Sequence, residues 1–249
     1  AGLLKKSMSR RGMSSTLTKS SSASAEGPTM AIEDIIQRIA VSALPILIAI
    51  TFHEVAHGFI AYKLGDPTAK MMGRLTLNPL AHIDPWGTLL MPGLLLVLTN
   101  GQFVFGYAKP VPINPSYFKN PRRDMALSAA GGPVTNILLA FVSLILLKIV
   151  SVAARAVGSD ASILFTPLTL MLNAGVIINV VLAAFNLLPI PPLDGGRILM
   201  GFLPRQQAAA LEKLEPYGFL IVITLVATGL SDYIVVPIIK AILVIMHLF

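Results

Sequence analysis

Cysteine is absent from the 249 residues. That excludes a disulfide scaffold, a thiol nucleophile and any zinc or iron–sulfur site built on thiolates. Charge is the next shortage. Lys, Arg, Asp and Glu together make 12% of the chain, about half of the roughly 25% found in ordinary soluble domains. Too few charges remain to coat a compact body of this size, so an ordinary water-soluble enzyme is excluded. Apolar residues fill the gap, at 55% of the chain with a mean hydropathy of +0.77, which is the composition of a membrane protein. No internal repeat is visible.

The net charge of +7 is unevenly placed. Residues 1–29 hold Lys5, Lys6, Arg10, Arg11 and Lys19 against Glu26, and so carry +4 of it. The other +3 sits in loops beside apolar runs, as basic membrane flanks do. No basic face is interleaved with aromatics, so nucleic acid is not an expected partner. The Ser/Thr-rich segment 1–29 has no signal-peptide core and reads as a disordered leader or a fusion scar, Met30 fitting a native start. An organellar transit peptide is the weaker reading. Residues 30–249 are expected to form one membrane-embedded domain.

Periodicity and breakers predict helices over Ile32–Leu64, Asp124–Val157 and Pro167–Leu188, each long enough to cross a bilayer. Two shorter apolar helices are expected over Tyr217–Leu230 and Tyr233–Phe249. The apolar run Leu89–Leu98 is too short for ~30 Å of hydrocarbon and suggests a re-entrant or interfacial element. Arg74–Leu77 alternates like a short strand, and Phe103–Pro115 is extended in character. The expected fold is thus an all-α polytopic bundle of about 4–6 transmembrane or re-entrant helices, with a small membrane-associated β element.

Within the first helix lies His53-Glu54-Val55-Ala56-His57. Residues i and i+4 share a helix face, so both imidazoles can reach one metal ion, and the Glu between them can take a proton from water. Three ionisable groups amid Ile46, Ile48, Ile50, Phe52, Val55, Phe59 and Ile60 need a compensating partner at membrane depth. Polar glue between helices is the bland alternative, and metal is favoured over it. Two histidines under-coordinate a metal. His82 stands in a turn-rich stretch where a solvated or capping role fits better. Asp194, before Gly195-Gly196, reads equally as a third ligand or as the N-cap of a helix over Gly195–Leu203. Asn179 and Asn186 share a face of the third long helix, whereas Asn136 and the pair Gly131-Gly132 suggest packing.

His53-Glu54-Val55-Ala56-His57-Gly58, with Phe185-Asn186-Leu187-Leu188-Pro189 leading to Leu193-Asp194-Gly195-Gly196-Arg197, resembles the site-2 protease family of intramembrane zinc metalloproteases. Ala130-Gly131-Gly132-Pro133 is similar too. The resemblance spans roughly Ile32 to Leu203 and is to a short, core-only member, with neither a PDZ-like nor a nucleotide-binding domain expected. It implies one Zn2+ held by His53, His57 and Asp194, with Glu54 as general base. It also implies a substrate-positioning role for Asn186, with Asn179 a further candidate.

The expected activity is hydrolysis of a peptide bond within or near the transmembrane segment of a single-span membrane protein, in a lipid bilayer. A membrane metal-binding or metal-transport protein is the alternative. The basic loops are expected on the cytoplasmic face of a bacterial inner membrane.

Overall fold

The computed structural model describes residues 32–91, 93–94, 106, 108–157 and 162–247. Its helices are α1 (Ile32–Lys63), α2 (Thr68–Met71), α3 (Pro121–Val157), α4 (Ser162–Asn186), α5 (Asp194–Phe202), α6 (Arg205–Glu212), α7 (Glu215–Ala227) and α8 (Asp232–His247). Stretches 39–63, 121–157 and 163–186 are long and apolar enough to cross a membrane. The helices α7 and α8 meet at a bend of 82° and together form one broken span or a re-entrant pair. The three long helices thus stand where the apolar pattern places them. Two start earlier: α3 begins at Pro121 rather than Asp124, and α4 begins at Ser162, ahead of Pro167, because a 25-residue helix absorbs one missing N–H donor. The leader 1–29 lies outside the described residues, as do 92 and 95–98 of the Leu89–Leu98 run. The start of that region, Pro85–Leu90, is π-helical and is capped by the Asp84 carboxylate on the N–H groups of Trp86 and Gly87.

The bundle is organised around α3, which packs on α1, α4 and α5. Small residues make close approach possible: Ala49, Ala61, Ala126, Ala129, Ala140, Ala183 and Ala184 are all buried. A core of Ala140, Val176, Val180, Leu188, Ile242 and Met246 joins α3, α4 and α8. Large side chains point the other way, with Leu138, Ile145 and Ile149 more than half exposed on α3. Apolar outside and small inside is what lipid as solvent selects.

Helix α1 stops in a Schellman motif. Asp66 N–H donates to the Ala61 carbonyl and Gly65 N–H to that of Tyr62, with Gly65 at φ 115°, where a Cβ would be strained. Asp66 is fully buried there and holds the next turn of structure. Its carboxylate accepts from Thr68 N–H, the Thr68 hydroxyl and, at 2.7 Å, Asn114 N–H.

The expected β element is not formed: among the described residues there is no strand. Arg74–Leu77 and 108–114 are extended, but Pro110 and Pro112 have no N–H to offer a ladder. The donors that remain go elsewhere. Lys109 N–H bonds the His82 carbonyl, Val111 N–H the Glu54 carboxylate and Asn114 N–H that of Asp66. The segment is a strap stitched to α1 rather than a strand.

Asp66→Ala would strip two backbone N–H groups and a hydroxyl of their acceptor, at an expected cost of about 3 kcal/mol. A lowered thermal midpoint in detergent micelles would register it; an unchanged midpoint would mean the strap is held by other contacts.

Candidate metal centre

His53 and His57 lie one turn apart on α1, and both rings turn inward to be buried. Their Nε2 atoms are 3.0 Å apart. Asp194, the first residue of α5, brings Oδ2 to 3.2 Å from His53 Nε2 and 3.3 Å from His57 Nε2. The chain reversal after α4 makes this approach possible. Residues Leu187–Pro191 fold directly over Gly195 and Gly196, where any Cβ would strike the backbone of Leu187, Leu188 or Ile190. The glycine pair therefore lets α5 begin against its own approach segment. The N-cap of α5 is Leu193, and Asp194 makes no cap hydrogen bond. Of its two possible roles, capping is therefore the one not taken.

The far side of each ring fixes its tautomer. His57 Nδ1 is 2.8 Å from the Ser128 carbonyl, which can only accept, so Nδ1 carries the proton. His53 Nδ1 is 2.5 Å from Asn136 Oδ1 and donates in the same way. Both Nε2 atoms then present lone pairs to each other and to a carboxylate oxygen. Asp194 Oδ2 is buried and has no hydrogen bond of sound geometry. A triangle of acceptors without a donor is repulsive by itself and requires a cation. One proton can bridge only two of its corners, whereas a metal ion serves all three.

The dimensions fit zinc. Ligands about 2.0–2.1 Å from one tetrahedral ion stand roughly 3.4 Å apart, close to the observed edges of 3.0, 3.2 and 3.3 Å. Two histidines and one carboxylate are a donor set that catalytic zinc uses. Among the described residues this is the one group of three metal-ligating side chains so gathered.

Glu54 projects beside this triangle, with Oε2 accepting from Val111 N–H at 2.8 Å. A cavity of about 570 Å3 is lined by Pro110, Val111, Arg122, Met125, Arg197 and Glu215, among others. It reaches the strap that holds Glu54 but touches none of the three converging ligands. Asn186 is half-buried, its Nδ2 donating to the Leu182 carbonyl. Asn179 is buried against Asn136, away from the triangle. His82, expected in solvent or at a cap, is 1% exposed, and its Nε2 donates to the Thr76 carbonyl.

Ser128 escaped the sequence reading, and Gly132 and Asn136, read there as packing, join it at the site. They stand four apart on α3 and present one row to the histidines. A Cβ on Gly132 would lie 2.5 Å from His57 Nε2 and 2.6 Å from His53 Nε2, so the glycine makes room for the rings. The signal was available, since small and polar residues at spacing four in an apolar helix mark a face that meets something polar.

Gly132→Ala should displace the two rings, since both are held at Nδ1, and should lower bound zinc by about tenfold or more. Metal analysis of purified protein, alongside an unchanged helical circular dichroism spectrum, would check it.

Comparison with known proteins agrees with this geometry. The model of peptidase family M50 matches residues 41–227. A Bacillus subtilis protein named "Putative zinc metalloprotease YwhC" is 41% identical over 199 residues, covering 80% of this chain and 85% of its own. "Putative zinc metalloprotease Rip2" of Mycolicibacterium smegmatis is 31% identical, covering 73% of this chain and 64% of its own. The Methanocaldococcus jannaschii protein "Putative zinc metalloprotease MJ0611" is 32% identical, covering 59% and 63% respectively. No solved structure matches significantly. With its membrane-spanning helices and its zinc-fitting centre, the chain belongs to peptidase family M50, the site-2 protease family of membrane zinc metalloproteases.

Proposed function

We propose that this protein hydrolyses a peptide bond within or near the transmembrane segment of a single-span membrane protein. Carrying the reading is the convergence of His53, His57 and Asp194, the two histidines flanking Glu54 on a helix apolar enough to span the bilayer. His53 Nε2, His57 Nε2 and Asp194 Oδ2 hold one zinc ion. Zinc, when bound, polarises the scissile carbonyl and makes water more acidic.

Glu54 does the proton work. Its Oε2 is engaged by Val111 N–H, which orients the carboxylate and leaves Oε1 for the reacting water. Glu54 takes a proton from that water as its oxygen bonds to the carbonyl carbon, and returns it to the amine nitrogen as the C–N bond breaks. Water and peptide are thus consumed, and a carboxylic acid and an amine leave. Asn186, at the end of the helix that leads into the Asp194 turn, is assigned to hold substrate in this reading. A transporter would need further ligating groups strung along a path. Among the described residues there is one such cluster, which favours the protease.

Orientation follows from the basic loops. Arg74 donates to the Lys109 carbonyl at 2.8 Å, and Arg122 donates to the carbonyls of Met200 and Leu203. These bonds gather the loops before α3 and after α1 and α5 on one side. The positive-inside rule makes that side cytoplasmic, in a bacterial inner membrane.

Glu54→Gln is expected to lower cleavage of a single-span reporter about 10²–10⁴-fold while keeping zinc, and Asp194→Asn to lose both. Cleavage that survives Glu54→Gln would overturn the assignment, and full zinc in Asp194→Asn would remove Asp194 from the ligand set.

A further inference from the structure

Asn136 on α3 is fully buried, and Asn179 on α4 is 2% exposed. Neither is satisfied as mere packing, because every polar atom that bonds has an assigned direction. Asn179 Nδ2 donates to the Gly175 carbonyl at 2.8 Å, so its amide cannot be turned round without facing oxygen to oxygen. That leaves Asn179 Oδ1 toward Asn136, whose Nδ2 donates to it at 2.8 Å. A second acceptor, the Ala49 carbonyl, lies 3.4 Å from the same Nδ2. Asn136 Oδ1 must then face His53 Nδ1, at 2.5 Å. The polarity of the whole row is set at its outer end by a main-chain carbonyl that can only accept.

We propose that Asn136 is a positioning residue that holds His53 with its proton on Nδ1 and its Nε2 lone pair toward Asp194, and that Asn179 locks the direction of Asn136. This role rests on His53 being a zinc ligand, as proposed above. An amide turned the other way would offer N–H to Nδ1, move the imidazole proton to Nε2 and cap the atom that should bind metal. Metal-bound histidines commonly donate their other N–H to such a partner, and losing it lowers metal affinity 10–100-fold. Here the partner is itself held by a second amide across a helix interface, so α4 contributes to a metal site to which it supplies no ligand.

Competition with a chelating fluorophore would measure zinc affinity for N136L, N136D and N179L in the full chain, with thermal midpoints alongside. N136L should lose about 10–100-fold. N136D keeps an acceptor for His53 but sets oxygens against Ala49 and Asn179. It should melt lower and yet bind zinc within about threefold of the unsubstituted protein. N179L should lose affinity by about three- to tenfold, less than N136L. If the asparagines served only as glue between helices, N136D would be as harmful to zinc as N136L, and that result would overturn the inference. Should N136L fail to fold, the other two decide: greater zinc loss in N179L than in N136D supports the relay, and an equal or reversed order overturns it. Tight zinc in all three variants overturns this inference alone. An unsubstituted protein with no zinc affinity overturns the reading beneath it as well.

Discussion

Three electron-pair donors face one another across about 3 Å in a medium that offers little water to separate them. That confrontation is what the rest of the architecture serves. Left without a cation it would push α1 and α5 apart, so the bundle has to hold the three atoms against their repulsion. Each is held from behind: His57 by the Ser128 carbonyl, His53 by Asn136, and Asp194 by the chain reversal over Gly195 and Gly196.

The central helix α3 does most of this holding. Its row of Ser128, Gly132 and Asn136 runs opposite the His53–His57 face of α1, and each position has a different task. Ser128 accepts from the His57 ring through its carbonyl and donates its hydroxyl to the His57 carbonyl at 2.9 Å, so the side chain of each is tied to the backbone of the other. Gly132 gives the rings space. Asn136 takes its hydrogen-bond direction from Asn179 on α4. In lipid, where apolar burial adds little between helices, such small and polar contacts supply the specificity of packing. The strap at 108–114 plays the equivalent part for Glu54, and Asp66 anchors its far end.

Much of this was legible beforehand. The three long helices follow from apolar runs bounded by Gly65-Asp66-Pro67 and Pro189-Ile190-Pro191-Pro192, because length and hydropathy are local properties. The extended character of the strap was legible too, but not that its N–H groups meet the carboxylates of Glu54 and Asp66. Arg74–Leu77, read as a short strand, shows where patterning stops, because alternation does not say whether a partner strand lies alongside. His82 failed for a similar reason. Turn-rich surroundings suggest solvent, yet its ring is buried against the Thr76 carbonyl, and its own carbonyl accepts from Lys109 N–H.

The spacing of His53 and His57 puts two imidazoles on one face of a helix whatever the rest of the chain does, since 3.6 residues per turn is a property of the backbone itself. The scarcity of charge likewise assigns the chain to a membrane without reference to any contact. Asp194 is different. Spacing left it balanced between helix cap and ligand, and only the turn that packs Leu187–Pro191 onto two glycines aims its carboxylate at the histidines. Asn136 was read as packing for the same reason. Its meaning lies in the direction of a hydrogen bond, and that direction is set by partners on α1 and α4 which come together only when the bundle closes.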